Sequence, residues 1–329
     1  MYDIVVLGGA GELGSNFAKL CIDRGYDVKI IDITRYNEAW RLKWLGIEGQ
    51  VEYLWKSSFD ISTDDIEDAE LILDCACQPD RPLGISSPNF TLTTNLHGPA
   101  RLLECITGLT EKPTVLYPSS SNIFLGVPPE QQPLVESTKP ATINYYAWSK
   151  LAAEQMYLTY NNMQRNNNII IRTGSCYGPG MRSDQMIGKC ILNMLKDRDF
   201  SVKSPHSSRT YTYTADVMRF YELLLEKLEN DSFFLEPYGN VIHNGGNKEN
   251  VSYRTMDVAE MIRDIVGSEA SLIPDEYENG EQLPDGRPVQ QWEKSEIAEL
   301  VLGWCPTHTI NDGLIGTVEW FQSRINNYI

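Results

Sequence analysis

The feature that most constrains the fold is a glycine cluster between two apolar runs near the start of the chain. Four glycines directly follow the apolar run 4–7: Gly8, Gly9, Gly11 and Gly14. Residues 12–24 have helical spacing, and a second apolar run, 28–31, ends on Asp32. This order predicts strand, turn, helix and strand. Such glycines let a diphosphate approach backbone N–H groups at a helix N-terminus, and Asp32 stands where a carboxylate accepts hydrogen bonds from an adenosine ribose. The alternative is a turn that serves only helix–strand packing.

Length, composition and charge narrow the class of protein. A chain of 329 residues suits two lobes, and its 42% hydrophobic and 22% charged content is that of a globular protein. The net charge of −17 argues against a nucleic-acid partner. Seven cysteines without paired spacing indicate reduced thiols, and four scattered histidines give no metal site. No apolar run reaches the roughly 20 residues of a membrane span, and no signal peptide is recognisable. We expect a cytoplasmic protein.

Strands and helices alternate through the first half of the chain. Apolar runs predict four further strands, at 51–54, 71–77, 114–117 and 168–172. Helical spacing predicts two long helices, at 89–107 and 145–163, and the text from Pro82 to Pro88 is interpreted as a loop. Strands and helices in this alternation predict an α/β fold with a Rossmann-type doubly wound parallel sheet. We assign residues 1–180 to this dinucleotide-binding domain.

The alternation weakens after residue 180. Three helices are expected, near 184–197, 216–228 and 253–266, with a short strand near 241–244. Residues 181–329 are therefore expected to form a smaller α/β lobe that binds substrate, with some segments returning to the first domain.

Tyr146 and Lys150 carry the clearest chemical signal. A spacing of four residues places both side chains on one face of the predicted helix. The lysine charge favours the phenolate, so such a tyrosine can take a proton from an alcohol or return one. The alternative is an ordinary surface pair, which the position of the motif after the fifth strand disfavours.

A serine-rich segment, residues 119–121, leaves the end of that fifth strand. Ligands of open α/β sheets bind at the carboxyl ends of strands, so a serine hydroxyl here could hold a substrate oxygen against Tyr146. The alternative is a turn in which the serines only cap backbone groups.

Further motifs run through the whole chain. They are Asp60-Ile61, the text from Cys75 to Gln78, Asn95 with Gly98, the text from Ser120 to Gly126, Arg172, the text from Tyr177 to Gly180, Arg209 with Asp216, Arg287, and Gly303, Trp304 and Pro306. Together with the glycine turn and the Tyr146–Lys150 pair, they resemble the extended short-chain dehydrogenase/reductase family, the nucleotide-sugar epimerases and dehydratases.

The resemblance implies roles for individual residues. It implies catalytic roles for Ser121, Tyr146 and Lys150. It implies cofactor contacts from Gly8, Gly11, Glu12, Leu13, Gly14, Asp32, Ile33, Asp60, Ile61, Ala76, Gln78, Asn95, Tyr146 and Lys150. It implies substrate contacts from Asn122, Ser175, Arg209 and Arg287. It also implies a nucleotide-diphosphate sugar as substrate and a homodimer formed through a four-helix bundle by the helices at 89–107 and 145–163.

Departures from the family pattern narrow the reaction. The family's 4,6-dehydratases are similar to one another in an Asp-Glu pair that removes water, and its decarboxylating members keep the glutamate. This chain has Asn122 and Ile123 at those two positions. No acid/base pair is left for those reactions, so hydride transfer remains. Leu125 and Ser175 replace a tyrosine and an asparagine of the family pattern. The pairs Ser121-Asn122 and Ser175-Cys176 are faintly similar to 2-epimerases that act on cytidine-linked deoxysugars.

Asp32 bears on the cofactor and, through it, on the reaction. A carboxylate there repels a 2′-phosphate, so NAD is expected, while Arg35 nearby leaves NADP open. Three functions compete. The first is an NAD-dependent nucleotide-sugar epimerase that oxidises a hydroxyl, at C4, to a transient keto sugar. The second is a C4 dehydrogenase or 4-keto-sugar reductase, and the third is a non-enzymatic dinucleotide-binding regulator.

Overall fold

The structure, a computed structural model, describes residues 3–231, 233–275, 282–283 and 285–327. The chain forms two compact units, each built from three segments. The first unit consists of Met1–Ile123, Thr142–Arg172 and Tyr221–Ile242. The second consists of Phe124–Ala141, Thr173–Phe220 and His243–Ile329. The functional division predicted at residue 180 stays a prediction.

Up to residue 172, strands and helices alternate along the chain. The elements are β1 (Ile4–Leu7), α1 (Glu12–Asp23), β2 (Val28–Asp32), α2 (Trp40–Trp44), β3 (Glu52–Trp55), β4 (Leu71–Asp74), α3 (Arg81–Ser86), α4 (Pro88–Thr107), β5 (Thr114–Pro118), α5 (Tyr145–Gln164) and β6 (Ile169–Arg172). Beyond it, the elements are shorter. They are β7 (Ser175–Tyr177), α6 (Met186–Met194), β8 (Phe200–Lys203), β9 (Ser208–Arg209), β10 (Tyr211–Tyr213), α7 (Thr214–Leu228), β11 (Val241–His243), β12 (Tyr253–Arg254), α8 (Thr255–Val266), β13 (Leu272–Asp275), β14 (Gln290–Gln291), α9 (Glu296–Leu302) and α10 (Ile310–Ser323).

The main sheet has seven strands in the order β11-β6-β5-β4-β1-β2-β3. The pairs among β1 to β6 are all parallel. The reversal of strand order beside β1 is the feature of a Rossmann-type doubly wound sheet, so the predicted fold class is confirmed. Strands β1 and β4 are buried along their whole length, because both faces of such a sheet are covered.

One face of this sheet packs against α4 and α5. Alternate strand residues, such as Val5 and Leu7, join Leu102 of α4 and Tyr157 of α5 in one apolar cluster. The period of two residues along each strand selects that face. Helix α1 buries Phe17, whose ring meets the Tyr221 ring at 5.2 Å. This packing holds α1 and α5, the two helices that carry the glycine and tyrosine motifs, against one sheet.

The second unit has small sheets in place of one large one. Strands β10 and β7 form a parallel pair, β9 lies between β12 and β14, and β13 pairs with β8. Helices α6, α8 and α10 contact one another.

One local expectation was wrong. Residues of the predicted loop between Pro82 and Pro88 form helix α3, whose N-cap Asp80 accepts a hydrogen bond from the Leu83 N–H at 2.8 Å. Proline is tolerated in the first turn of a helix, because an N–H there has no partner within the helix. Among the helices of the described ranges, none is long and apolar enough to cross a membrane.

Candidate functional site

The glycine turn between β1 and α1 leaves no room for side chains. Gly8 has φ +75°, and a Cβ on it would lie 2.9 Å from the Ala76 nitrogen. A Cβ on Gly14 would lie 2.5 Å from the Gly8 carbonyl oxygen. Helix α1 begins directly after this turn, at Glu12, and the first N–H groups of a helix have no partner within the helix. The turn therefore fits the diphosphate of a dinucleotide, which needs close approach to backbone N–H groups.

Asp32 ties the end of β2 to this turn. One of its carboxylate oxygens accepts from the Ala10 N–H at 2.9 Å and the other from the Thr34 N–H at 2.8 Å. Each oxygen has a further lone pair, so the carboxylate can still accept from ribose hydroxyls. The Arg35 guanidinium lies 5.1 Å from the centre of the Trp55 ring. Arg35 is thus held by an aromatic ring at the end of β3.

The predicted adenine contacts have different environments. Ile33 is exposed, and so is Asp60. Ile61 lies in the apolar core, and its carbonyl oxygen accepts from Arg101 Nε at 2.8 Å. The Ile61 side chain is therefore engaged in packing, and its contact with a cofactor stays a prediction.

The loop after β4 is fastened to α5 by Asn95. The Asn95 side chain accepts from the Gln78 N–H at 2.7 Å and donates to the Gln78 carbonyl oxygen at 3.2 Å. It also donates to Ser149 Oγ at 2.9 Å, and Ser149 in turn donates to the Tyr146 carbonyl oxygen at 2.8 Å. The Gln78 side-chain oxygen is buried without a hydrogen-bond partner in the described part of the chain. That unsatisfied acceptor fits a cofactor that donates to it.

Tyr146 lies in the first turn of α5 and is buried. The helix is capped by the side chain of Asn144, which accepts from the Ala147 N–H at 2.8 Å. Burial raises the pKa of Tyr146 to about 12, while the Lys150 charge and a hydrogen bond with the Ser120 side chain lower that pKa. The tyrosine therefore already has two groups that favour its phenolate, although burial dominates in this structure.

Lys150 is buried among polar and aromatic side chains. Its Nζ lies 4.1 Å from the centre of the Tyr117 ring, and that ring lies 4.9 Å from the Tyr157 ring. The Tyr157 hydroxyl donates to the Asp74 carboxylate at 2.6 Å. Burial raises the pKa of Asp74, and the hydrogen bond from Tyr157 and the charge of Lys150 oppose that rise. Asp74 is thus a buried acid close to the predicted catalytic lysine, and sequence reasoning missed it.

The serine segment, residues 119–121, has three differently placed hydroxyls. Ser119 donates to the Glu154 carboxylate of α5, and Ser120 contacts Tyr146. Ser121 is buried at the start of a short 3₁₀ turn. Ser120 therefore supplies a hydroxyl at Tyr146, and the catalytic role of Ser121 stays a prediction.

Asn122 follows the serine segment. Its amide nitrogen donates to Ser120 Oγ at 2.9 Å. Its amide oxygen is buried without a hydrogen-bond partner among the residues that the structure describes. An unsatisfied acceptor beside Ser120 and Tyr146 fits a ligand that carries hydroxyl groups.

The other predicted substrate residues lie in the second unit. Ser175 is half-buried in β7 and pairs with Tyr211 of β10. Arg209 is buried and donates to the Gln291 side chain, and burial lowers its pKa. Arg287 is exposed and forms ion pairs with Asp285 at 2.8 Å and Glu130 at 2.5 Å. Each arginine already has protein partners, and their contacts with a substrate stay predictions.

Over the described ranges, the structure holds no cluster of three or more side chains that could bind a metal ion.

Comparisons with known proteins agree with this geometry. A model of the NAD dependent epimerase/dehydratase family matches residues 4–234. A UDP-glucuronate 4-epimerase of Thermodesulfobacterium geofontis is 27% identical over 244 residues, which cover 73% of this chain and 69% of that protein. A trifunctional UDP-glucose 4,6-dehydratase, 3,5-epimerase and reductase of Arabidopsis thaliana is 26% identical over 98% of this chain. The chain spans 47% of the length of that plant protein.

Solved structures show the same fold. A UDP-glucuronic acid 4-epimerase from Bacillus cereus, in complex with UDP-glucuronic acid and NAD, is similar with a TM-score of 0.84 and 21% identity. The match covers 98% of this chain and 99% of that chain. A UDP-glucose 4-epimerase from Thermotoga maritima, with UDP-glucose, is similar with a TM-score of 0.82 and 20% identity, over 98% and 99% of the two chains.

Proposed function

This chain belongs to the NAD-dependent epimerase/dehydratase family, and from that premise we propose that it is a nucleotide-sugar epimerase. The predicted family and its NAD dependence are confirmed by the family match. In the proposed reaction a sugar hydroxyl, at C4, is oxidised to a keto group, and hydride then returns to the opposite face of the ring. The three 4-epimerases to which this chain is similar support this choice of carbon.

The observation that carries the proposal is the environment of Tyr146. Burial raises the pKa of its hydroxyl, while the contact with Ser120 and the charge of Lys150 oppose that rise and favour the phenolate. NAD, when bound, supplies the hydride acceptor. Tyr146 takes the proton of the sugar hydroxyl and returns it when the alcohol forms again. A serine hydroxyl of the segment 119–121 donates to the same oxygen and stabilises the charge that develops there.

The residues beside this site do not favour dehydration. The Asn122 amide nitrogen is bonded to Ser120, and Ile123 is fully buried and apolar. Neither side chain can act as an acid or a base at a neighbouring carbon. Epimerisation and simple oxidation or reduction at one carbon need only the groups around Tyr146.

We propose a nucleotide-diphosphate sugar as the substrate. The unsatisfied amide oxygen of Asn122 supports a ligand rich in hydroxyl groups. Ser175, Arg209 and Arg287 are proposed as further contacts, with the arginine charges suited to a diphosphate. UDP-glucuronic acid and UDP-glucose, which the solved epimerases bind, are the first substrates to test.

We propose a cytoplasmic homodimer that pairs through α4 and α5. These helices pack against each other and carry exposed apolar side chains: Phe90, Trp148 and Met163. Large exposed apolar side chains on two adjacent helices are typical of a protein–protein contact. A mass near twice 37.3 kDa by light scattering would support the dimer.

Product analysis tests the proposed function. Purified protein is incubated with NAD and each UDP-sugar, and the products are identified by NMR. We expect a C4 epimer without net formation of NADH, and loss of turnover by at least a factor of about 100 in Tyr146→Phe. A 4-keto sugar formed with one NADH per product would instead establish the dehydrogenase. No conversion of any UDP- or dTDP-sugar would contradict an enzymatic role.

A further inference from the structure

We propose that Glu154 is a positioning residue, which holds the serine segment 119–121 in register with the tyrosine of helix α5. The inference rests on the proposed function, because it concerns how a serine and Tyr146 meet the same sugar oxygen. Glu154 touches neither the substrate nor the cofactor in this proposal, and it acts through Ser119.

The covalent path alone does not fix the serine segment against α5. Both belong to the first unit, but the chain between them, Phe124–Ala141, belongs to the second unit. Tyr146 is thus connected to the serine segment only through a long excursion of the backbone. Since such a connection leaves the relative position of its ends free, direct contacts between the two elements have to set it.

Ser119 makes such a contact. Its hydroxyl donates to the Glu154 carboxylate at 2.5 Å, and both side chains are buried, at 5% and 0% exposure. Glu154 lies one helical turn beyond Lys150 and two turns beyond Tyr146, on the same side of α5. The next residue, Ser120, contacts Tyr146 itself. Two adjacent serines are therefore attached to one helix, the first through Glu154 and the second through the reactive tyrosine.

Arg172 holds the Glu154 carboxylate in place. Its Nε lies 3.2 and 3.3 Å from the two carboxylate oxygens, and its Nη2 lies 3.0 Å from one of them. Because the guanidinium is planar and its donors are fixed in a fork, it orients the carboxylate as well as neutralising it. Arg172 ends β6, and the backbone N–H of Ser119 donates to the Ile171 carbonyl oxygen at 2.7 Å. The carboxylate thus joins the ends of β5 and β6 to the helix.

The consequence for the reaction is geometric. A proton leaves the sugar oxygen while a hydroxyl of the serine segment donates to it, so both groups have to face one atom at hydrogen-bond distance. A displacement of about 1 Å in such an arrangement can reduce a rate by roughly 100-fold. Removing the Ser119 hydroxyl breaks the bond between the serine segment and Glu154 but leaves the Glu154–Arg172 ion pair intact, so this change separates the position of the segment from the buried charge.

The experiment compares Ser119→Ala with the wild-type protein and with a control, Thr107→Val. Thr107, the last residue of α4, also bonds α5, through the Tyr160 hydroxyl at 3.2 Å, and Tyr160 lies in a later part of α5 than Tyr146. The transient absorbance of NADH is followed at 340 nm after holoenzyme is mixed with a saturating UDP-sugar that the wild type accepts. We expect Ser119→Ala to lower the hydride-transfer rate constant about 10- to 100-fold. We expect its Kd for NAD to match the control and Thr107→Val to keep the wild-type rate. The melting temperature of Ser119→Ala should fall below that of the control, because it loses a hydrogen bond to a charged group.

Amide hydrogen exchange of residues 119–123 tests the positioning role of Glu154 without measuring enzyme turnover. The Ser119 and Ile123 N–H groups donate to backbone carbonyls, and the Asn122 N–H donates to Ser120 Oγ. We expect these amides to exchange faster in Ser119→Ala than in Thr107→Val. Unchanged exchange, or a wild-type rate of hydride transfer, overturns the role of Glu154. Absence of hydride transfer in the wild type with every sugar overturns the proposed function instead, while the exchange result still stands.

Discussion

The substitution Tyr157→Phe tests how Asp74, the buried acid near Lys150, is stabilised. The Tyr157 hydroxyl donates to Asp74 at 2.6 Å, and both residues are almost fully buried. Burial raises the pKa of Asp74, but the Tyr157 hydrogen bond and the Lys150 charge oppose that rise, so we expect the carboxylate to be ionised at pH 7.5. A hydrogen bond to a charged group contributes about 1.5–3 kcal/mol, so Tyr157→Phe should lower the free energy of unfolding by that amount.

Tyr160→Phe is the matched control, since it removes the same hydroxyl from the same helix. The Tyr160 hydroxyl accepts from Thr107 Oγ1 at 3.2 Å, so its partner is neutral. A neutral hydrogen bond contributes about 0.5–1.5 kcal/mol, and this loss should not depend on pH. The difference between the two variants therefore measures the charge on Asp74.

The pH dependence follows from the raised pKa of Asp74. Burial places the folded-state pKa above the unfolded value of about 3.9, so ionisation of Asp74 lowers stability as pH rises through that window. Loss of the Tyr157 hydrogen bond raises the folded-state pKa of Asp74 further. The loss of unfolding free energy in Tyr157→Phe is therefore largest at high pH and shrinks as pH falls. Urea unfolding of both variants at pH 4.5 and 7.5, followed by tryptophan fluorescence, measures this. Equal, pH-independent losses in the two variants would refute an ionised Asp74.

Two further predictions concern the glycine turn and a buried acid of the second unit. Gly14→Ala should weaken NAD binding at least tenfold by calorimetry, since the new Cβ would lie 2.5 Å from the Gly8 oxygen. Gly25→Ala is the control, because a Cβ there would meet nothing within 4 Å and the strain comes only from φ +89°. It should lower the free energy of unfolding by about 1–2 kcal/mol and leave NAD affinity unchanged. Equal affinities in the two variants would contradict the assignment of the turn. Glu136→Gln keeps an acceptor for the two backbone N–H groups that Glu136 binds and removes a carboxyl whose pKa is raised by burial. Wild-type stability should therefore fall relative to this variant as pH rises above about 4.3, and parallel stability–pH curves would contradict it.

The sequence predicted the first unit well because its signals are local. The glycine turn, the apolar strands and the Tyr146–Lys150 spacing each lie within one or two adjacent elements. Sterics explain the turn, since the Gly8 and Gly14 positions exclude any side chain. Alternation of strands and helices then leaves few topologies open, and the Rossmann-type order is the one observed.

Contacts between distant elements could not be predicted in this way. Asp74 and Tyr157 are hydrogen-bonded but lie 83 positions apart in the sequence, and the hydrogen-bonded residues Asn95 and Ser149 lie 54 positions apart. Neither pair has a sequence spacing that points to it, because only the folded sheet brings β4 and α4 beside α5. Glu154 is similar, since its spacing from Lys150 places it on the right face of α5 but says nothing of Ser119 or Arg172.

Short elements were also beyond sequence reasoning. Helix α3 has six residues, among them Pro82, and composition alone favours a loop there. Its start is set by the Asp80 cap, which a proline-rich segment obscures. The two- and three-residue strands of the second unit, such as β9 and β14, are too short to show any periodicity.

The central claim is that one sugar carbon is oxidised and then reduced at the same site. Its most direct test uses a UDP-sugar labelled with deuterium at C4, incubated with the wild-type holoenzyme. We predict a C4 epimer that retains its deuterium, because the hydride taken from that carbon returns to it before the cofactor leaves. Deuterium found in free NADH would contradict the claim. An equilibrated reaction that contains no inverted sugar would also contradict it.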